Sequence, residues 1–170
     1  NKEHIIPKWL IQLTGKPNRK APLSINKSDW SSSKHSFSTF TFPACEKCNS
    51  EFSALEGKAK HVVISLLEDS EISENELSLF LDWIDKVRIG LWLGDMLRNP
   101  DQNFVQPNFH ISDRIGQKDR AVFFLKTDDD EKGIGYTGTA TLAFHFVPSC
   151  FGLIINNLYI LNVSSDFLFS

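Results

Sequence analysis

The sequence predicts an α+β fold: a strand–loop–strand–helix unit packed on a long helix and an antiparallel β meander. Three observations carry that expectation. The first sixty residues hold two short apolar stretches separated by a Pro-, Ser- and Lys-rich loop and followed by a helical pattern. A long, well-capped helix comes next. Beyond about residue 103 the chain turns to β-branched and aromatic residues, which suit a pleated surface.

In chain order, "EHIIPKWLIQL" reads as a short strand or extended segment, with Pro7 breaking any helix. "TGKPNRKAPLSINKSDWSSSKH" reads as a long basic loop. "SFSTFTF" places Phe37, Phe40 and Phe42 on a strand with a slip between the first two, and Pro43 closes it. "CEKCNSEFSALEGKAKHVVISLLED" is helical, with Phe52, Leu55, Ala59, Val62 and Val63 at spacings of three and four. Ser73 and Glu76 form a capping box ahead of "ENELSLFLDWIDKVRIGLWLGDMLRN". There Leu77, Phe80, Leu81, Ile84, Val87 and Leu91 make one apolar stripe. Trp83 and Trp92 lie off it, so this helix is expected to be buried on two sides, with Pro100 ending it. "RAVFFLK", "TATLAFHFV", "FGLIIN" and "LYILNVS" read as strands. Asn156-Asn157 is a two-residue hairpin turn, and Asp128 to Asp130 with Gly133 suggests another. Two units follow, residues 1–69 and residues 70–170.

Composition fits a globular chain of 170 residues with 41% hydrophobic and 23% charged content, which excludes wholesale disorder. No apolar run reaches the roughly 18 residues of a transmembrane helix, so no membrane is expected. The chain begins at Asn1 rather than Met, so residues upstream are expected. Three cysteines, with only Cys45 and Cys48 close in sequence, suit a reducing, cytoplasmic setting rather than a disulfide framework. The net charge of −3 is uneven. Residues 1–60 carry ten Lys/Arg against five Asp/Glu, and the remainder eight against sixteen. A polyanion partner, if any, belongs to the basic first third.

The chemistry-bearing residues sit in that same third. Glu3-His4 lies on the first strand and "ACEKCNSEFSALE" opens the helix. A carboxylate and an amide oxygen are hard ligands suited to Mg²⁺ or Mn²⁺, and a neutral histidine can activate water. "EHIIP" followed about forty residues later by "CEKCN" resembles the HNH endonuclease family, over roughly residues 1–60. The resemblance implies a ββα-metal finger in which Glu3 and Asn49 hold Mg²⁺ or Mn²⁺ and His4 is the general base. It implies hydrolysis of DNA phosphodiester bonds, and a setting such as restriction or phage defence in bacteria. Many members carry a second CxxC that completes a structural zinc site; here Cys45 and Cys48 are a half-site, whose partner pair would lie upstream. The family's central Asn or His has no clear counterpart: His35 is a candidate by position, and Phe40 stands where an Asn is common.

In this reading Lys16, Arg19, Lys20, Lys27 and Lys34 hold the DNA backbone without reading sequence. Residues 70–170 serve as a scaffold, a homo-oligomer surface or the seat of a regulatory partner. Duller readings stand beside these. His4 and Glu3 are ordinary surface groups, Asn49 caps the helix, Glu56 is a surface charge, and Cys45/Cys48 are a redox pair. His61, His110 and His145 are expected to be structural and Cys150 to lie in the core. "ISDRIGQKDR" is expected to be a salt-bridged loop through Asp113, Arg114, Asp119 and Arg120. A module that binds nucleic acid or protein without cutting is the alternative function.

Overall fold

The computed structural model describes residues 2–15, 20–26, 31–98, 110–128, 130, 132–139 and 141–165, with backbone alone at 20–26, 31–35, 38, 98 and 142. It has the α+β architecture expected. Strand β1 (Lys2–His4) pairs antiparallel with β4 (Thr41–Pro43), setting Glu3 opposite Phe42 and His4 opposite Thr41. Helix α2 (Glu46–Leu67) follows β4 directly.

Between those strands the chain departs from expectation. Pro7 does not prevent a helix; it starts one. Its φ of −66° already suits helix entry, and α1 (Lys8–Leu13) runs from it, because a helix start needs no N–H from that position. The stretch expected to be a basic loop contains an antiparallel pair, β2 (Lys20–Asn26) and β3 (Ser31–Ser36), with a register shift between Pro22 and Ser24. The slip in "SFSTFTF" is a 3-10 turn over Phe37–Thr39, which brings Phe37, Phe40 and Phe42 all into the interior.

Helix α3 (Glu74–Arg98) begins at the expected capping box. The Glu76 carboxylate accepts from the Ser73 backbone N–H and hydroxyl at 2.8 and 2.6 Å, and Ser73 Oγ accepts in return from the Glu76 N–H at 3.3 Å. Every residue from Trp83 to Trp92 is buried. A helix buried all round must be covered on every side, and it is. Ile5, Phe40 and Phe42 approach from the β1–β4 pair and Trp9 packs against Trp83 with the rings tilted by 38° and their centroids 5.8 Å apart. Trp92 Nε1 donates to the His145 carbonyl at 2.8 Å on another side. Buried residues from both expected units, Ile5 to Val63 and Phe80 to Ile160, belong to one apolar cluster.

The C-terminal sheet joins β5 (Arg120–Lys126), β6 (Ile134–Thr137), β7 (Cys150–Ile155) and β8 (Leu158–Ser164) in the order β5-β8-β7-β6. Strands β6, β7 and β8 form an antiparallel meander, but its first strand, β6, lies ahead of the stretch expected to supply it, and β5 pairs with β8 rather than with its successor. The β7–β8 turn is as expected, with Asn156 at φ 54°, a left-handed conformation that Asn tolerates. "TATLAFHFV" is not a strand: α4 (Leu142–Phe146) occupies its centre, capped by Thr141, whose side chain accepts from the Phe144 N–H at 3.1 Å. Adjacent Phe144 and His145 are both buried there. Cys150 is exposed at the start of β7, not in the core, because it stands at the strand's end, ahead of the buried run Phe151 to Leu153.

Two glycines test this packing in opposite directions. A Cβ on Gly94 would lie 2.6 Å from Ile5 and 2.8 Å from the Phe40 ring, whereas one on Gly57, in α2, would meet nothing within 4 Å. Gly94→Ala should therefore destabilise the protein by about 1–3 kcal/mol through overpacking. Gly57→Ala should stabilise it by up to about 1 kcal/mol through helix propensity. Urea unfolding of both variants checks this, and equal shifts would refute the close approach.

Candidate functional site

Three elements converge on Glu3. Strand alternation turns its side chain inward, leaving 5% of the residue exposed, while Lys2 is exposed and His4 half-buried. Asn49 lies on the first turns of α2, and its Nδ2 donates to Glu3 Oε2 at 2.5 Å. The two residues paired by the sequence reading thus meet, across 46 positions of chain. Asn49 is not the helix cap. Cys45 takes that place, its sulfur accepting from the Cys48 N–H at 3.0 Å.

The third element was not foreseen. Lys86, fully buried in the middle of α3, places Nζ 2.7 Å from Glu3 Oε1 and 2.5 Å from Glu56 Oε1, and donates to the His4 carbonyl at 2.7 Å. The ammonium thereby donates to the His4 carbonyl and Glu56 and is ion-paired with Glu3. Glu56 is consequently no surface charge; its carboxylate joins α2 to α3. Burial pushes the Glu56 carboxyl above the usual range, with the Lys86 charge and hydrogen bond opposing and Glu3 adding to the rise. The signal for Lys86 was present: a lysine amid an apolar stretch buried on both sides needs an internal counter-charge.

The donor chemistry of the expected metal ligands can be set against this geometry. One carboxylate and one amide oxygen are hard donors that suit Mg²⁺ or Mn²⁺. Both Glu3 oxygens are engaged, however, and Asn49 presents its NH₂ rather than its oxygen, so ligation by both residues requires the amide to turn. Zinc fits less well. Cys45 and Cys48 lie with sulfurs 2.6 Å apart at the exposed start of α2, two donors short of a closed tetrahedron. Among the described residues no group of three or more His, Cys, Asp or Glu is arranged to hold a metal. The hydrogen bond shared with the Cys48 thiol and the one from the Cys48 backbone N–H hold the Cys45 thiol below its ordinary range.

The remaining candidates disperse. Lys16, Arg19 and Lys27 lie outside the described residues. Lys20 and Lys34 are on β2 and β3, opposite Ser36 and Pro22, with side chains outside the description, as is that of His35 on β3. Phe40 is wholly buried. His61 and His110 are exposed, and buried His145 sits 3.6 Å from Asp95. In the 113–120 segment Arg114, Asp119 and Arg120 are ion-paired as expected, whereas Asp113 accepts from the His110 N–H at 2.9 Å, and the network reaches α3. Arg120 meets Asp82 at 2.8 Å and Asp85 at 3.2 Å, Arg114 meets Asp119 at 2.7 Å, and Arg88 meets Asp85 at 2.6 Å. Burial pushes the Arg88 guanidinium down to about 10 and the Asp85 carboxyl up, each against the pull of its partners.

The raised Glu56 carboxyl has a pH consequence. A folded value above the unfolded one means that the stabilisation is complete below the ordinary Glu range, about pH 4.3. It is lost as pH rises through the folded value. Glu56→Gln should therefore lessen the fall in stability above that range, as read from urea midpoints across weakly acidic pH; an unchanged slope would remove Glu56 as its source. No protein-family model matches the chain, and no curated protein or solved structure matches it either.

Proposed function

We propose that the chain is a metal-dependent, HNH-type endonuclease that hydrolyses DNA phosphodiester bonds. The observation that carries this reading is the contact between Glu3 on β1 and Asn49 on α2, in a strand pair followed at once by a helix. Glu3 and Asn49 would hold Mg²⁺ or Mn²⁺, which when bound polarises a phosphate and steadies charge on the leaving oxygen. His4, as a neutral imidazole, would take the proton from water attacking phosphorus. Ile5 and Ile6, both fully buried, anchor the strand that carries it. Lys86 fixes the His4 backbone through its carbonyl, limiting how far the imidazole can wander. Basic residues of the 16–34 stretch would hold the phosphate backbone, and residues 70–170 would supply the scaffold.

A second reading has its own support. Glu3 already has a counter-charge in Lys86, so a finger of this build can stand without a metal and bind nucleic acid or protein without cutting. Plasmid cleavage separates the two. With Mg²⁺ or Mn²⁺ the wild type should nick or linearise supercoiled DNA, and His4→Ala should lower the rate by about 10²–10⁴-fold while DNA binding persists. Equal rates, or binding with no cleavage by either protein, would leave the binding module standing instead.

A further inference from the structure

We propose that Lys86 is a resident competitor cation, a positioning residue that holds Glu3 in place and restrains the affinity of the Glu3–Asn49 pair for a divalent ion. The inference rests on the metal-site reading above and adds how that site is regulated. Lys86 has no exposed side-chain surface, so water does not neutralise its charge. Its partners come from two elements: the Glu3 carboxylate and the His4 carbonyl on β1, and Glu56 on α2. The Phe52 ring, 5.8 Å away, adds a weaker attraction.

This arrangement has two electrostatic states. Without a divalent ion, Lys86 is shared between two carboxylates, and the Asn49 amide covers the free oxygen of Glu3. With an ion on Glu3, Glu56 and the His4 carbonyl still satisfy the ammonium, so Lys86 need not leave the interior. The cost of the second state is repulsion between a single positive charge and a double one across one carboxylate. Even with water-like screening, that repulsion amounts to a factor of about ten in affinity at such a separation, and burial makes it larger. Lys86 would thus keep the site closed to a divalent ion at low concentration while keeping Glu3 correctly aimed.

The test is Mn²⁺ binding to the full chain, read from the electron paramagnetic resonance signal of free Mn²⁺, in wild type, Lys86→Met and Lys86→Arg. Lys86→Met should bind Mn²⁺ at least about tenfold more tightly, and Lys86→Arg, which keeps the charge, should stay near the wild type. A purely structural lysine would give the reverse, since loosening Glu3 weakens binding. Should Lys86→Met be unfolded without metal, its circular dichroism is followed as Mn²⁺ is added. Refolding below the Mn²⁺ concentration that half-saturates the wild type supports the proposal, and failure to refold at saturating Mn²⁺ overturns it. If the wild type binds and Lys86→Met binds no more tightly, this inference falls and the metal site stands. If none of the three proteins binds Mn²⁺, both fall together. Binding by Lys86→Met alone supports the competitor role in its strongest form.

Discussion

A charge inside a helix that has no solvent face must find its counter-charge on whatever covers it. Helix α3 carries three such charges in four positions, Asp85, Lys86 and Arg88, all fully buried. Helical geometry sends Asp85 and Arg88 to one side and Lys86 roughly to the other. Asp85 and Arg88 are met by Arg120 on β5 and by the Ser149 carbonyl just before β7. Lys86 is met by β1 and α2. Asp85 and Arg88 also pair with each other at 2.6 Å, whereas Lys86 has its counter-charges only on β1 and α2, so the position of the candidate site follows from how Lys86 is neutralised.

Close approach reinforces that constraint. Gly90 and Gly94 lie one turn apart on α3 and face Ile5, Phe40 and Phe42, which lets the β1–β4 pair press against helix backbone. Seating of β1 at that depth brings the His4 carbonyl and the Glu3 carboxylate within reach of Lys86. On the far side, Lys126 at the end of β5 bonds the Leu67 carbonyl and Asp69 at 2.6 Å each. It caps α2 and ties the sheet to the helix that bears Asn49. The residues of the candidate site are thus held by elements from every part of the described chain.

Much of this was legible in the sequence, and the failures have physical causes. The capping box at Ser73 and Glu76 and the Asn156 turn were readable because they are local: a few adjacent residues determine the geometry. Glu3 and Asn49 were readable as a pair only because their residue types and spacing resemble a known arrangement. Pro7 misled because the same fixed φ that breaks a helix interior suits a helix start. "LAFHF" misled because its apolar composition suits a strand, while the Thr141 cap favours a helical turn. The β2–β3 pair was hidden by its polar composition, which lacks the apolar alternation that marks a half-buried strand. Lys86 and Glu56 were missed for a different reason. Each looks like an ordinary helical surface charge until it is known that α3 has no outer face.

The pairing of Lys86 with β1 also bears on the order in which the molecule assembles. The His4–Lys86 bond spans 82 residues of chain, the Arg88–Ser149 bond 61 and the Arg114–Ser164 bond 50. The loop-closure entropy of such contacts is lost before the contacts themselves return any stability. Until both ends of the chain arrive, the middle of α3 is an apolar segment with unneutralised charges and little reason to persist as a helix. The centre of α3 therefore depends on contacts from β1 and from the strands near Ser164, each distant from it along the chain.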